Sequence, residues 1–475
     1  MKSVVMIAYD FPPEGHAGVY RPLRFVRHLP LFDWQPTVIS AGGTEFARYD
    51  PGLLTQIPAT IDVIRPTHRL DWWQRFQQRR AQRARVAPTS RPDGTVAAGV
   101  APRQNRARAV ARAFVRRAEA CWYQPDMQAG WIQPAVDAVR QVCARQRPDV
   151  IWVTGPPWSS FIAAAKASEQ TGVPYVLDFR TSWTIVPSPS EALRPRWLQK
   201  RDRRVLRRLL QNAQAVTFFY HAEAECFWRM YSGALDASRI HVIPNGFDGD
   251  IEAVAPRETR KLTALYTGTL SDYRYDTFLA AVALFVARHP ECAEHLAVKF
   301  VGEQQPEFIA QLEELGLRRV VSVHPPMPHA EVLALQTTVD VLLMLERTPV
   351  HKGYELLAGA KLFGYMKAGR PILGVVPAHG EAARILREVG VSTIADAESV
   401  EEICGVLERL FKAWRHHDLG SLAPVRAACA RYSSTAQTQA LVRALEGAPA
   451  QQPFVPGSMD IVPSLRSDVA LATRG

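Results

Sequence analysis

Val4-Val-Met-Ile-Ala-Tyr-Asp-Phe-Pro-Pro-Glu-Gly-His-Ala-Gly-Val-Tyr20 decides the fold. Residues 4–8 form a short apolar run, as expected of a strand buried on both faces of a parallel sheet. Phe11-Pro12-Pro13 cannot continue a strand, and Gly15 and Gly18 follow within a few residues. Residues 19–29 then carry helical spacing (Leu23, Val26, Leu29), with Arg21 and Arg24 near the start. A buried strand, a glycine-bearing turn and a helix N-terminus together make an anion site, because the backbone can approach closely and first-turn amides point at the ligand. The spacing is not GxGxxG, so a dinucleotide fingerprint is absent.

Further along the chain the same strand-then-helix rhythm recurs. Apolar runs at 37–40, 149–154, 174–178, 215–219 and 240–243 read as strands of a first sheet. After Pro244-Asn-Gly-Phe-Asp248 a second series begins, at 262–267, 298–301, 320–323, 340–345 and 371–376, with Gly268 and Gly302 closing its first two members. Alternation of this kind predicts parallel sheets with ligands at the carboxyl ends of the strands. The 475 residues suit two such domains better than one core. The expected organisation is therefore 1–246, 247–420, a helix at 421–446 returning to the first domain, and a structureless tail at 447–475. Together they form an α/β chain of two Rossmann-like, doubly wound domains facing a cleft.

Six cysteines without CxxC or CxH spacing predict neither a disulfide framework nor a zinc site. No apolar run reaches the length of a membrane span, so a cytoplasmic protein is expected. The net charge of +11 is concentrated in an insertion at about 75–120, where ten arginines from Arg79 to Arg116 meet almost no acid. Aromatic residues flank it (Trp72, Trp73, Phe76, Phe114, Trp122, Tyr123). That combination predicts peripheral contact with the anionic inner face of the membrane. Nucleic acid is not an expected partner, since no recognised binding motif accompanies the charge.

The chain resembles the GT-B glycosyltransferases, specifically the glycosyltransferase family 4-like branch of bacterial polysaccharide and lipopolysaccharide assembly. The resemblance spans about 1–445 and rests on the ordered series from Tyr9 to Phe25, Pro125-Asp126, Gly155-Pro-Pro157, Asp178-Phe-Arg180 and Ile243-Pro-Asn-Gly-Phe-Asp248. It continues through Tyr266-Thr-Gly-Thr-Leu270, Lys361-Leu-Phe363, Gly369-Arg-Pro-Ile-Leu373 and Gly380-Glu-Ala-Ala383. It implies transfer of a hexose-like sugar from a nucleotide-sugar donor, held by the second domain, to a lipid-linked glycan acceptor on the first. Retention of configuration without a metal or other cofactor is expected, and no Asp-x-Asp motif stands out. Lys361 and Arg274 are the expected catalytic cations for the leaving diphosphate. Gly15, Gly18, Gly268, Glu355, Gly380 and Glu381 join Lys361 as donor-binding candidates, and His16, Arg21, Asp178 and Arg180 are the acceptor-side candidates.

Three departures from the family pattern matter. The helix that begins Lys361-Leu-Phe continues with Gly364 where a ribose-binding Glu is usual, and Leu356 stands eight residues earlier. Thr181-Ser182 replaces the usual Asp-Pro after Asp-Phe-Arg, and the turn at 154–157 lacks a histidine. Two alternatives follow: a degenerate GT-B scaffold in polysaccharide assembly, for which Gly364 speaks, or a sugar-nucleotide epimerase, which would need an acidic and histidine cluster.

Overall fold

The computed structural model of the chain describes residues 1–42, 49–68, 75, 117–185, 189–252, 258–270, 273–346, 353–457 and 465. Nearly all of the arginine-rich insertion, and with it the membrane expectation placed there, lies outside the described residues.

Two parallel sheets organise the chain. The first has seven strands in the order β3-β2-β1-β4-β5-β6-β7: β1 (Lys2–Ile7), β2 (Trp34–Ile39), β3 (Asp62–Ile64), β4 (Val150–Gly155), β5 (Tyr175–Phe179), β6 (Ala215–Phe218) and β7 (Ile240–Val242). β1 pairs in parallel with both β2 and β4, Val4 lying opposite Pro36 on one side and Val150 on the other. Every residue of β4 and β5 is buried, which explains why these strands read as unbroken apolar runs. The second sheet runs β10-β9-β8-β11-β12-β13: β8 (Leu262–Thr267), β9 (Leu296–Val301), β10 (Val321–His324), β11 (Val341–Leu345), β12 (Ile372–Val376) and β13 (Ile394–Asp396). Both orders reverse at a central switch point, β1/β4 in one sheet and β8/β11 in the other, where doubly wound sheets place their ligands.

Helices of eight or more residues cover these sheets: α1 (Tyr20–His28), α2 (Ile132–Arg145), α3 (Ser159–Thr171), α4 (Arg196–Asn212), α5 (His221–Tyr231), α6 (Asp276–Arg288), α7 (Pro306–Glu314), α8 (His329–Thr337), α9 (Lys361–Ala368), α10 (Glu381–Glu388), α11 (Val400–Arg415) and α12 (Ser434–Leu445). The chain divides into two compact units. One comprises 1–217, 231–241 and 442–453, and the other 218–230, 242–441 and 454–475. In the second unit Phe278, Phe285, Phe300 and Phe308 fill one side of the sheet, and Leu362, Tyr365, Met366 and Ile385 the other.

Two boundaries differ from the sequence reading. The C-terminal helix begins at Ser434, because residues 419–432 are broken into short turns around Pro424. The tail is also not structureless at its start: Phe454 is buried, and the Gly457 amide donates to both carboxylate oxygens of the buried Glu225 (3.1 and 3.0 Å). Periodicity could not announce an ordered segment that is neither helix nor strand.

Candidate active site

Each sheet carries polar residues on the turns that follow its central strands. In the first unit, Asp10 ends the turn after β1 and binds two groups at once. Arg180 Nη2 donates to its Oδ2 at 2.9 Å, and His16 Nε2 lies 3.2 Å from its Oδ1. Arg180 also donates to the Pro156 carbonyl, which ties the turn after β4 to the turn after β5. Gly18 makes this arrangement fit, since a Cβ there would stand 1.9 Å from Arg180 Nη1 and 2.6 Å from His16 Cε1. The Gly18 amide donates to His16 Nδ1 (2.9 Å), so the neutral ring carries its proton on Nε2, facing Asp10. Gly15 is buried in the same turn.

The electrostatics follow from these contacts. The hydrogen bond to Asp10 raises the His16 pKa above its ordinary 6.5, against the opposing effect of partial burial. Burial pushes the Asp10 carboxyl upward, but the His16 hydrogen bond and the Arg180 charge outweigh it, and its pKa is lowered. His16 is the most open member, with 42% of its side chain exposed against 19% for Asp10 and 9% for Arg180.

Arg21 and Asp178 do not belong to that open face. Both are buried, and Arg21 grips the carboxylate through Nη2 (2.7 Å) and Nε (3.0 and 3.2 Å). Thr154 Oγ1 donates to the same carboxylate at 2.7 Å, and Thr217 Oγ1 donates to its other oxygen. The acceptor-side role expected for Arg21 and Asp178 is therefore corrected to a structural one, because the pair is saturated and closed to solvent. Although they are two residues apart, Asp178 and Arg180 have different partners, Arg21 and Asp10.

In the second unit, β8 is followed by Gly268 at φ +119 and β9 by Gly302 at φ +139, backbone conformations that favour glycine. A Cβ on Gly268 would lie 2.7 Å from Lys361 Nζ, so the glycine brings the ammonium directly against the turn. Lys361 opens α9, donates to the Tyr266 hydroxyl at 2.7 Å, and sits over the rings of Tyr266 (4.1 Å) and Tyr273 (4.7 Å). Gln304 Nε2 holds the Gly268 carbonyl at 3.1 Å. Arg274 lies on the same side of the sheet, where its amide donates to the Glu346 carbonyl, but its guanidinium is occupied by Glu398 (3.2 Å) and Asp276 (3.8 Å).

Glu355 is buried in the turn before α9, and its carbonyl lies 3.4 Å from where a Cβ on Gly380 would be. Glu381 is fully buried. Its carboxylate faces the amides of His221 (3.3 Å) and Ala222 (3.4 Å) at the start of α5, and pairs with Arg384 at 2.7 Å. It stabilises a helix N-terminus and is not open to a sugar hydroxyl, which corrects its donor-binding expectation. At Gly364 an added Cβ would meet, among the described residues outside its own helical turn, Gln336 Oε1 at 3.9 Å, so a Cβ fits there. Asp10 is the member of the site that sequence reasoning missed. Its position between Tyr9 and Phe11, at the end of a buried strand, was the available signal.

Comparison with known proteins bears on the fold. Residues 77–246 match the family described as glycosyl transferase 4-like domain. No curated protein sequence matches the chain. Among solved structures, HepE of Anabaena in complex with UDP-glucose superposes with a TM-score of 0.52 at 13% identity, covering 94% of this chain and 100% of that one. Sucrose-phosphate synthase of Thermosynechococcus elongatus gives 0.54 at 13% identity, with 93% and 98% covered. The lipopolysaccharide outer core galactosyltransferase WaaB gives 0.51 at 13%, with 94% and 99% covered. At such identity the likeness is one of fold, and the fold is GT-B. Residues 77–246, about a third of the chain, are thus similar to glycosyl transferase 4-like domains, and the chain as a whole has the GT-B fold.

Proposed function

We propose that this protein transfers a sugar from a nucleotide-sugar donor, bound on the second unit, to a hydroxyl of a lipid-linked glycan acceptor bound on the first. The observation that carries the reading is Lys361, an ammonium packed against the φ +119 glycine that follows the switch-point strand β8. As the glycosidic bond breaks, negative charge develops on the leaving diphosphate, and a cation already in place stabilises it without reorganisation. The ammonium supplies charge where other enzymes use a metal, so the reaction is proposed to run without metal or cofactor. Arg274 would add a second cation once its exposed acidic partners exchange for phosphate.

On the acceptor side His16 and Arg180 would orient the incoming group. Asp10 fixes both, and neither is asked to act as a covalent nucleophile. The departing phosphate oxygen can take the acceptor proton on the same face of the sugar, which gives retention. The UDP-glucose complex of HepE and the galactosyltransferase title of WaaB support UDP-hexoses as the first donors to try, and WaaB supports a cell-surface glycan as acceptor. No described helix is long and apolar enough to cross a membrane, so contact with a lipid-linked acceptor would be peripheral.

Gly364 favours a second reading, a scaffold that has lost donor chemistry. Titrating UDP-hexoses into the protein and following release of free UDP separates the two. Donor binding with turnover supports the enzyme, and absence of binding to every nucleotide sugar tried overturns it.

A further inference from the structure

We propose that helix α4 is a membrane-docking element, whose exposed basic stripe lies on anionic phospholipid. Arg196, Lys200, Arg204 and Arg208 recur at every fourth position, which places them on one helical face, and all four are exposed. Leu198, Leu206, Leu209 and Leu210 form the opposite, buried face. The sole carboxylate on the helix, Asp202, is turned inward and paired with the buried Arg194 at 2.7 Å. Among the described residues no ion pair engages the four stripe cations. A stripe of this kind, left without counter-charges, matches a dense anionic surface better than water.

Two aromatic side chains point to lipid rather than to another polyanion. Trp197 is 65% exposed beside the stripe, and Trp122 is 68% exposed. Their segments adjoin, because Arg194, two residues before α4, donates to the carbonyls of Ala120 (3.1 Å), Tyr123 (3.4 Å) and Pro125. Arginine and lysine beside exposed indole rings is the composition of an interfacial helix, where the charges meet headgroups and the rings enter the acyl boundary. The proposal rests on the acceptor being lipid-linked only for its purpose. The physical claim concerns the surface itself, and donor binding at Lys361 is independent of it.

The test uses the full-length protein and vesicles of phosphatidylcholine with or without phosphatidylglycerol. Cosedimentation should occur with the anionic vesicles, fall steeply with added salt and be absent with neutral ones. Each basic residue at such a surface contributes roughly fivefold in binding, so replacing Arg196, Lys200, Arg204 and Arg208 together by Gln should weaken it by about a hundredfold or more. Trp197→Ala should weaken it further without changing the salt dependence. Circular dichroism and nucleotide-sugar titration on the same variants show that fold and donor site persist. Wild-type vesicle binding by the folded quadruple variant overturns the assignment of α4. Tighter binding to duplex DNA than to anionic vesicles overturns the choice of lipid. Either result leaves the sugar-transfer reading standing.

Discussion

Single residues carry the sharpest consequences. At Gly364 the backbone is helical, and a Cβ added there would have Gln336 Oε1, 3.9 Å away, as its nearest neighbour among the described residues outside its own helical turn. Gly364→Glu should therefore fit without disturbing α9, and a helix-interior glycine costs about 1 kcal/mol relative to better helix formers. The variant is expected to be at least as stable as the parent in thermal melts. It should also bind a nucleotide sugar more tightly by calorimetry, since a charge-assisted hydrogen bond contributes about 1.5–3 kcal/mol. Weaker binding in a folded variant would mean that the nucleoside lies elsewhere.

His16 gives a second residue-scale prediction. Protonation surrenders the Gly18 amide bond to Nδ1 but strengthens the hydrogen bond to Asp10, which raises the His16 pKa against partial burial. A histidine raised on folding contributes stability that is fully present below the unfolded value of 6.5 and lost as pH rises through the folded value. Asp10→Asn should thus lose more stability on the acidic side of neutrality than on the alkaline side, and the NMR titration midpoint of His16 should drop. An unchanged midpoint would contradict the pairing. Asp10 and its partners were only partly legible in the sequence. The glycines and prolines announced a turn, but nothing in local spacing shows that Asp10 meets Arg180, or that Arg21 meets Asp178, across more than 150 positions.

At the scale of elements, the strands that sequence read well are those buried on both faces, because a continuous apolar run leaves little choice. β3 and β13 were missed: each is a three-residue edge strand containing an aspartate, with mixed burial and no pattern to detect. Capping was legible only in part. Pro125-Asp126 marked a feature of the chain, and the structure shows its physical role. Asp126 Oδ2 accepts from the Ser159 amide at 2.9 Å and its other oxygen accepts from the Ser159 hydroxyl, which satisfies the N-terminus of α3. Asp126→Ala should destabilise the protein by about 1–2 kcal/mol in urea unfolding. A loss below a few tenths would show that water replaces the cap. Burial raises the Asp126 pKa despite these hydrogen bonds, so the protonated form is reached sooner on acidification than for an exposed aspartate.

For the whole molecule, two parallel sheets wound around central switch points place polar turns at the carboxyl ends of β1 and β4 in one unit, and of β8 and β11 in the other. Everything functional in the account depends on what those turns hold. The fold class was legible because strand-then-helix alternation repeats along most of the chain. The division of labour between open and closed residues was not, since burial separates His16 from Arg21, and Lys361 from Glu381, although all four lie near glycine turns. The most direct test of the central claim is a side-by-side titration and turnover assay of the wild type and Lys361→Ala with a UDP-hexose. The folded variant should retain little donor binding and lose about 100–1000-fold in turnover, the effect of removing one preorganised stabiliser of developing charge. Wild-type binding and turnover in folded Lys361→Ala would contradict it.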